Sequence, residues 1–142
     1  MLTSGLFTSD SAEWGTPQTF FDELDKEFHF ELDVAASDDN HKCDRYYTKA
    51  TDGLAHQTEW TGTVWCNPPY GREIGKWVKA CSEYLGGVCV MLLPARTDTR
   101  WFHDYIYNDE RAEIRFVRGR LHFNDSKNSA PFPSMVVIFR ND

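Results

Sequence analysis

The segment from Val88 to Leu93 constrains the fold of this chain more than any other. It is an unbroken run of six apolar residues, with Gly86-Gly87 before it and Pro94 after it. A run of this length without alternation is typical of a central parallel strand that is covered on both faces. We therefore expect a sheet with this strand near its centre.

Helical and strand patterns alternate on either side of this run. Thr16 and Pro17 predict a helix start, with Thr16 as the N-cap, and further helices are expected after Pro69 and from Thr99. Their predicted inward faces are Phe20, Phe21, Leu24 and Phe28; Ile74, Trp77, Val78, Cys81 and Leu85; and Trp101, Phe102, Tyr105 and Ile106. Strands are predicted over 30–34, 63–66, 88–93, 113–117, 121–123 and 134–139. This order predicts an α/β fold with a mostly parallel sheet and an antiparallel edge strand.

The length of 142 residues suits one domain over 1–142, with a polar and flexible segment at 1–13 and no separate target-recognition domain. No apolar run approaches the roughly 18 residues of a membrane span, and the N-terminus lacks the basic start of a signal peptide. The four cysteines form no C-x-x-C pair, which predicts reduced thiols in a cytoplasm. We expect no membrane partner and no metal site.

Charge is distributed unevenly along the chain. The net charge is −7, but residues 1–60 hold 4 Lys and Arg against 13 Asp and Glu, whereas residues 61–142 hold 11 against 9. Five basic residues lie between Arg111 and Asn128, with only Glu113 and Asp125 as acids. The acidic total argues against a general nucleic-acid coat. The basic segment from Arg111 to Asn128 fits either a surface that faces nucleic-acid phosphates or an ordinary surface that faces solvent.

The sequence Asn67-Pro68-Pro69-Tyr70 follows a predicted strand and precedes a predicted helix, where ligands bind in open α/β sheets. Two prolines stiffen the loop and remove two backbone donors. The Asn67 side-chain oxygen and the Pro68 carbonyl can accept both hydrogens of a planar amine, while Tyr70 stacks on the attached ring. Such bonds favour a pyramidal nitrogen whose lone pair can attack a methyl sulfonium. The alternative is a rigid strand-to-helix turn without chemistry.

Six blocks of sequence, in order, resemble the phage-type DNA N-6-adenine methyltransferases (Dam) over nearly the whole chain. They are Glu13-Trp-x-Thr-Pro17 with Phe21-Asp-x-Leu24, Leu32-Asp-Val-Ala-Ala36, Cys43-x-Arg-Tyr-Tyr47 with Asp52-Gly-Leu54, Trp65-Cys-Asn-Pro-Pro-Tyr-Gly71, residues 93–103, and Ala130-Pro-Phe-Pro-Ser-Met135. The resemblance implies the compact Rossmann-like fold of S-adenosylmethionine-dependent methyltransferases. It also implies methyl transfer to the amine of an adenine that is flipped out of DNA, in a bacterial host cytoplasm if phage-encoded, with a role in restriction-modification.

The resemblance also implies roles for individual residues. The catalytic motif would be Asn67, Pro68, Pro69 and Tyr70, and the cofactor pocket would be formed by Trp14, Thr16, Pro17, Asp33, Val34, Ala35 and Ala36. Asp52 is our candidate for the ribose hydroxyls. The candidate DNA contacts are Arg96, Arg100, Lys127 and Asn128. Unlike many methyltransferases, the chain has no Gly-x-Gly after the first strand, where Ala35-Ala36-Ser37 stands instead.

Two alternatives remain open on the residues alone. The same loop suits RNA adenine, guanine amines and glutamine side-chain amides, because all are planar conjugated NH2 groups. A small acidic binding protein that retains the fold without turnover is the second alternative. A cytosine C5 methyltransferase is disfavoured, since its cysteine nucleophile usually lies in Pro-Cys and the chain has no such pair.

Overall fold

The computed structural model describes residues 14–141, so the expected flexibility of residues 1–13 lies outside the described residues. The helices are α1 (Gln18–Phe28) and α2 (Ile74–Glu83), with a short π-helical segment at Phe102–Tyr107 and 3-10 turns at Leu54–Glu59 and Phe123–Asp125. The strands are β1 (Leu32–Asp33), β2 (Arg45–Tyr46), β3 (Val64–Cys66), β4 (Val88–Pro94), β5 (Ala112–Phe116) and β6 (Ser134–Arg140). No helix in residues 14–141 is long and apolar enough to cross a membrane.

The six strands form one sheet in the order β2-β1-β3-β4-β6-β5. Strand β1 pairs in parallel with β2 and β3, and β3 pairs in parallel with β4. Strand β6 is antiparallel to both β4 and β5 and therefore lies one position inside the sheet edge. The predicted α/β class, with a mostly parallel sheet and antiparallel pairing on one side, is confirmed.

The core is centred on β4 and β6. Residues 89–94 of β4 are all buried, as are residues 134–139 of β6, and the two strands pair over seven positions from Val88–Arg140 to Pro94–Ser134. Strand β5 at the edge is only half-buried. The unbroken apolar run of the sequence is therefore a strand that is covered on both faces, as predicted.

Three local predictions are wrong. Leu85 does not face the core but is 77% exposed, because α2 ends at Glu83 before the helical spacing reaches it. Residues 121–123 are not a strand; the chain makes a 3-10 turn there, with positive φ at Asn124 and Asp125. Thr16 does not cap α1, which begins at Gln18 with Pro17 as N-cap and no side-chain cap. A fourth prediction holds in part: a strand is present within residues 30–34, but it covers only Leu32–Asp33.

Two substitutions near the end of α2 test this boundary. Val78 is fully buried, so Val78→Ala should lower the free energy of unfolding by about 2 kcal/mol through lost apolar burial and a residual cavity. Leu85→Ala should cost less than about 0.5 kcal/mol because the side chain is solvated. Urea unfolding measures both changes. Equal losses would mean that α2 continues to Leu85 and buries it.

Candidate active site

The predicted catalytic and cofactor loops meet at one edge of the sheet. The chain passes from β1 outward to β2 and then returns to β3 on the other side of β1, so the strand order reverses between β1 and β3. Ligands of open α/β sheets bind at the carboxyl ends of strands beside such a reversal. Asp33 ends β1 and Asn67 follows β3, the neighbouring parallel strand, and the amide of Val34 donates to the carbonyl of Trp65 at 3.1 Å.

The Asn67 side chain links this loop to the segment before α1. Its Nδ2 donates to the Trp14 carbonyl oxygen and to Thr16 Oγ1, the latter at 2.9 Å. A carbonyl can only accept, so the carboxamide must present its nitrogen to this segment and its oxygen to the other side. The two partners lie more than fifty residues away in sequence, and they fix the orientation of the Asn67 amide.

The oxygen of this amide is left without a partner. Asn67 Oδ1 is buried and accepts no hydrogen bond among the residues that the structure describes. Within the same part of the chain, no donor meets the Pro68 carbonyl. A buried acceptor without a donor costs about 1–3 kcal/mol, and functional sites are a common reason for such a cost. Two consecutive residues thus offer acceptors for the two hydrogens of an amino group.

Tyr70 lies inside the protein rather than facing an open site. Its ring is 7% exposed, its hydroxyl donates to the Leu92 carbonyl at 3.2 Å, and burial raises the pKa of the phenol well above its usual range. The ring makes edge contacts with Phe132 and Phe123, at centroid distances of 5.5 and 6.3 Å. Trp14 contacts the same two phenylalanines, and we call these four residues the aromatic cluster. Stacking of Tyr70 on a substrate therefore requires this cluster to open.

The segment before α1 is also held by a turn near the other end of the chain. Gly15 N donates to Asn124 Oδ1 at 3.0 Å, and Asn124 N donates to the Gly15 carbonyl at 2.7 Å. A Cβ at Gly15 would lie 2.3 Å from Asn124 Oδ1, so only glycine permits this approach. The sequence patterns did not identify either residue, because the pairing spans 109 positions.

Asp33 organises the loop that follows β1. Its side chain is 3% exposed, with Oδ1 accepting from Ala35 N at 3.3 Å and Oδ2 accepting from Lys42 N at 2.9 Å. Burial raises the pKa of the carboxyl to about 6, and the two amide bonds lower it in part. Ala36 N donates to the Tyr47 carbonyl, so the loop is ordered without the Gly-x-Gly that many methyltransferases carry.

Asp52 is brought to the same end of β1 by its neighbour Gly53. A Cβ at Gly53 would lie 2.2 Å from the Val34 carbonyl oxygen, and Trp60 Nε1 donates to the Gly53 carbonyl at 3.0 Å. Asp52 itself has a φ of 58° and is exposed. The Asp-Gly pair is an ordinary turn signal, but its packing against Val34 was not predicted. Asp52 is therefore placed beside the proposed cofactor loop.

The basic and polar candidates lie on the surface. The Arg96 guanidinium is 5.9 Å from the centre of the Phe132 ring, so it borders the aromatic cluster. Arg100 lines an open groove between α2 and the π-helical segment. Lys127 and Asn128 are exposed, two and three residues after the turn that holds Gly15. The hydrogen bonds of the Asn67 side chain within residues 14–141 go to Trp14 and Thr16 and to none of these four.

The raised pKa of Asp33 predicts a pH dependence of stability. A carboxyl that binds its proton more tightly in the folded state than in the unfolded state makes the unfolding free energy fall as pH rises between about 4 and 6. Relative to Asp33→Asn, the wild type should gain about 1 kcal/mol when the pH falls from 7.5 to 5. Urea unfolding at both pH values measures this difference. Asp98→Asn, at an exposed aspartate, is the control, and its difference in unfolding free energy from wild type should not change in this way between the two pH values. If Asp33→Asn and Asp98→Asn gave the same result, the raised pKa of Asp33 would be contradicted.

The family model described as DNA N-6-adenine-methyltransferase (Dam) matches residues 3–141. The DNA N-6-adenine-methyltransferase of Escherichia phage T1 is 33% identical over 111 residues, which cover 76% of this chain and 45% of the phage protein. YfdM of Escherichia coli (strain K12), named as a candidate methyltransferase, is 38% identical over 64 residues, which cover 41% of this chain and 70% of that protein.

The chain thus spans less than half of the phage T1 relative that it matches. The family match nevertheless extends over nearly all of the sequence and includes both loops at the strand reversal. Because the family model matches residues 3–141 and the predicted sheet is present, we conclude that the chain belongs to the DNA N-6-adenine-methyltransferase (Dam) family.

Proposed function

We propose that this protein transfers a methyl group from S-adenosylmethionine to the exocyclic amine of adenine in DNA. The observation that carries the proposal is the buried, unpartnered Oδ1 of Asn67, held in place by Trp14 and Thr16. Family membership supports the reaction, and the names of the relatives support the acceptor. The proposed catalytic residues are Asn67, Pro68, Pro69 and Tyr70.

The residues at the end of β1 fit a cofactor that carries an amino group. Asp33 uses one acceptor site on each oxygen for backbone amides, and a carboxylate has about four such sites, so it can still accept from an ammonium directly or through water. Ala35 and Ala36 are small and half-buried, and the exposed Asp52 is available to ribose hydroxyls. We assign cofactor binding to Trp14, Thr16, Pro17, Asp33, Val34, Ala35, Ala36 and Asp52. The bound cofactor supplies an electrophilic methyl group on a positively charged sulfur.

The role of Asn67 and Pro68 is to activate the amine. The lone pair of an adenine amine is delocalised into the ring, which makes it a poor nucleophile. Hydrogen bonds from its two hydrogens to Asn67 Oδ1 and the Pro68 carbonyl favour a pyramidal nitrogen and also stabilise the positive charge that develops there. Because the Asn67 amide is already oriented by two bonds, no reorganisation is needed when the charge appears.

The target base must leave the duplex and reach the aromatic cluster. Tyr70 would stack on it once Phe132 or Phe123 gives up its edge contact with the Tyr70 ring. Arg96 borders the aromatic cluster, Arg100 lines the groove between α2 and the π-helical segment, and Lys127 and Asn128 are exposed. We assign these four residues to DNA contacts.

Asn67→Ala tests the proposed acceptor. The variant should lower kcat by about 100-fold or more, the usual effect of removing one preorganised polar group, while cofactor affinity falls far less. Transfer of labelled methyl from S-adenosylmethionine to unmethylated DNA measures kcat, and calorimetry measures the affinity. Label that enters RNA or a protein but never DNA would contradict the acceptor. A wild type that binds no cofactor would favour a binding protein without turnover.

Thr16→Val tests whether Thr16 acts through Asn67. The valine keeps the shape but cannot accept from Asn67 Nδ2, so kcat should fall about tenfold, as expected for one hydrogen bond to a catalytic group. Thr16→Ser keeps the hydroxyl and should stay near wild type. In an Asn67→Ala background, Thr16→Val should cause no further loss. Weaker cofactor binding with unchanged kcat would instead mean that Thr16 acts through the cofactor alone and not through Asn67.

A further inference from the structure

A groove that begins directly after the catalytic loop has basic side chains on both walls. It starts at Gly71, next in sequence to Tyr70, and has a volume of about 410 Å³. Arg72, Lys76 and Lys79 border it from the side of α2, and Arg100 borders it from the side of the π-helical segment. Asp104 is the single carboxylate among its lining residues in the described chain.

This concentration of positive charge is opposite in sign to the molecule as a whole, which carries −7. Lys76 Nζ lies 2.9 Å from Glu73 Oε2, but this ion pair is exposed and contributes little to the stability of the fold. Within residues 14–141, no carboxylate lies within 4.0 Å of Arg72, Lys79 or Arg100. Like charges spaced three or four residues apart on a helix destabilise it slightly, so the fold alone gives no reason for this arrangement.

The character of the groove suits an extended anion rather than a small one. Its cations are carried on exposed, flexible side chains along two walls, and its floor is the apolar surface of Ile74 and Trp101. A compact ligand would need convergent, buried polar groups, whereas a nucleic-acid backbone presents a row of phosphates that such side chains can follow.

We propose that this groove binds the sugar-phosphate backbone of the DNA strand beside the target base. The inference rests on the proposed function, since the catalytic loop must act on DNA for the groove to be used. Arg72, Lys76, Lys79 and Arg100 position the strand, and the base leaves it towards Asn67. A positive groove on a negative protein also directs DNA to the catalytic edge and away from the acidic surface.

The test compares two double variants that remove the same charge. Lys76→Gln with Lys79→Gln removes two cations from the groove, whereas Lys26→Gln with Lys49→Gln removes two exposed cations on α1 and on the loop after β2. Fluorescence anisotropy with a short unmethylated, fluorescein-labelled DNA duplex gives the binding constant over a salt series. For the groove variant, the negative slope of log K against log salt should become shallower by about 1.8, since each lost phosphate contact contributes about 0.9.

At low salt the groove variant should bind the duplex at least about tenfold more weakly, and the control should stay within about twofold of wild type. In methyl transfer, the groove variant should show a raised KM for DNA with kcat retained at saturating DNA. Circular dichroism and thermal unfolding verify that both variants are folded.

Two other outcomes would contradict the groove proposal or the proposed function. If the groove variant and the control behave alike while wild type labels DNA, the groove proposal is wrong and the proposed function stands. If wild type labels no DNA at all, the proposed function fails and the groove proposal fails with it.

Discussion

The candidate site depends on the two hydrogen bonds that Asn67 Nδ2 donates to the segment before α1. They join the loop after β3 to Trp14 and Thr16, which precede the first helix of the described chain. Because both amide hydrogens are used in these bonds, the amide group is fixed and Oδ1 faces away from this segment. The remaining architecture supports this contact: β3 is buried between β1 and β4, and Asn124 holds Gly15, which lies between Trp14 and Thr16, through two hydrogen bonds.

The unpartnered oxygen is informative because of its position. Ser134 Oγ and the side-chain nitrogen and oxygen of Asn141 are also buried without partners among the described residues. Ser134 begins β6 opposite Pro94 at the end of β4, and Asn141 lies just beyond the end of β6. Asn67 lies instead at the strand reversal, next to a proline carbonyl that no described donor meets. Asp33, on the neighbouring strand end, has both oxygens bonded to backbone amides, and each oxygen keeps a further acceptor site. Asn67 Oδ1 has no such partner among the described residues, so all of its acceptor capacity is open to a ligand.

The parts of the fold that could be predicted from sequence are those set by local patterns. Burial of β4 follows from its unbroken apolar run, and the position of Asn67 follows from the strand that ends at Cys66. The parts that could not be predicted depend on distant partners. The Thr16 hydroxyl meets a residue 51 positions away instead of capping α1, and Tyr70 is buried by aromatic rings from residues 123 and 132. Leu85 fits the helical period, but the helix ends before it.

A crystal structure with S-adenosylhomocysteine and an adenine-containing DNA oligonucleotide would show which atoms hold the target amine. We expect the adenine amine within about 3 Å of both Asn67 Oδ1 and the Pro68 carbonyl oxygen, with Asn67 Nδ2 still bonded to Trp14 and Thr16. An amine bound by other residues, or an Asn67 amide whose oxygen has turned to the segment before α1, would contradict this expectation.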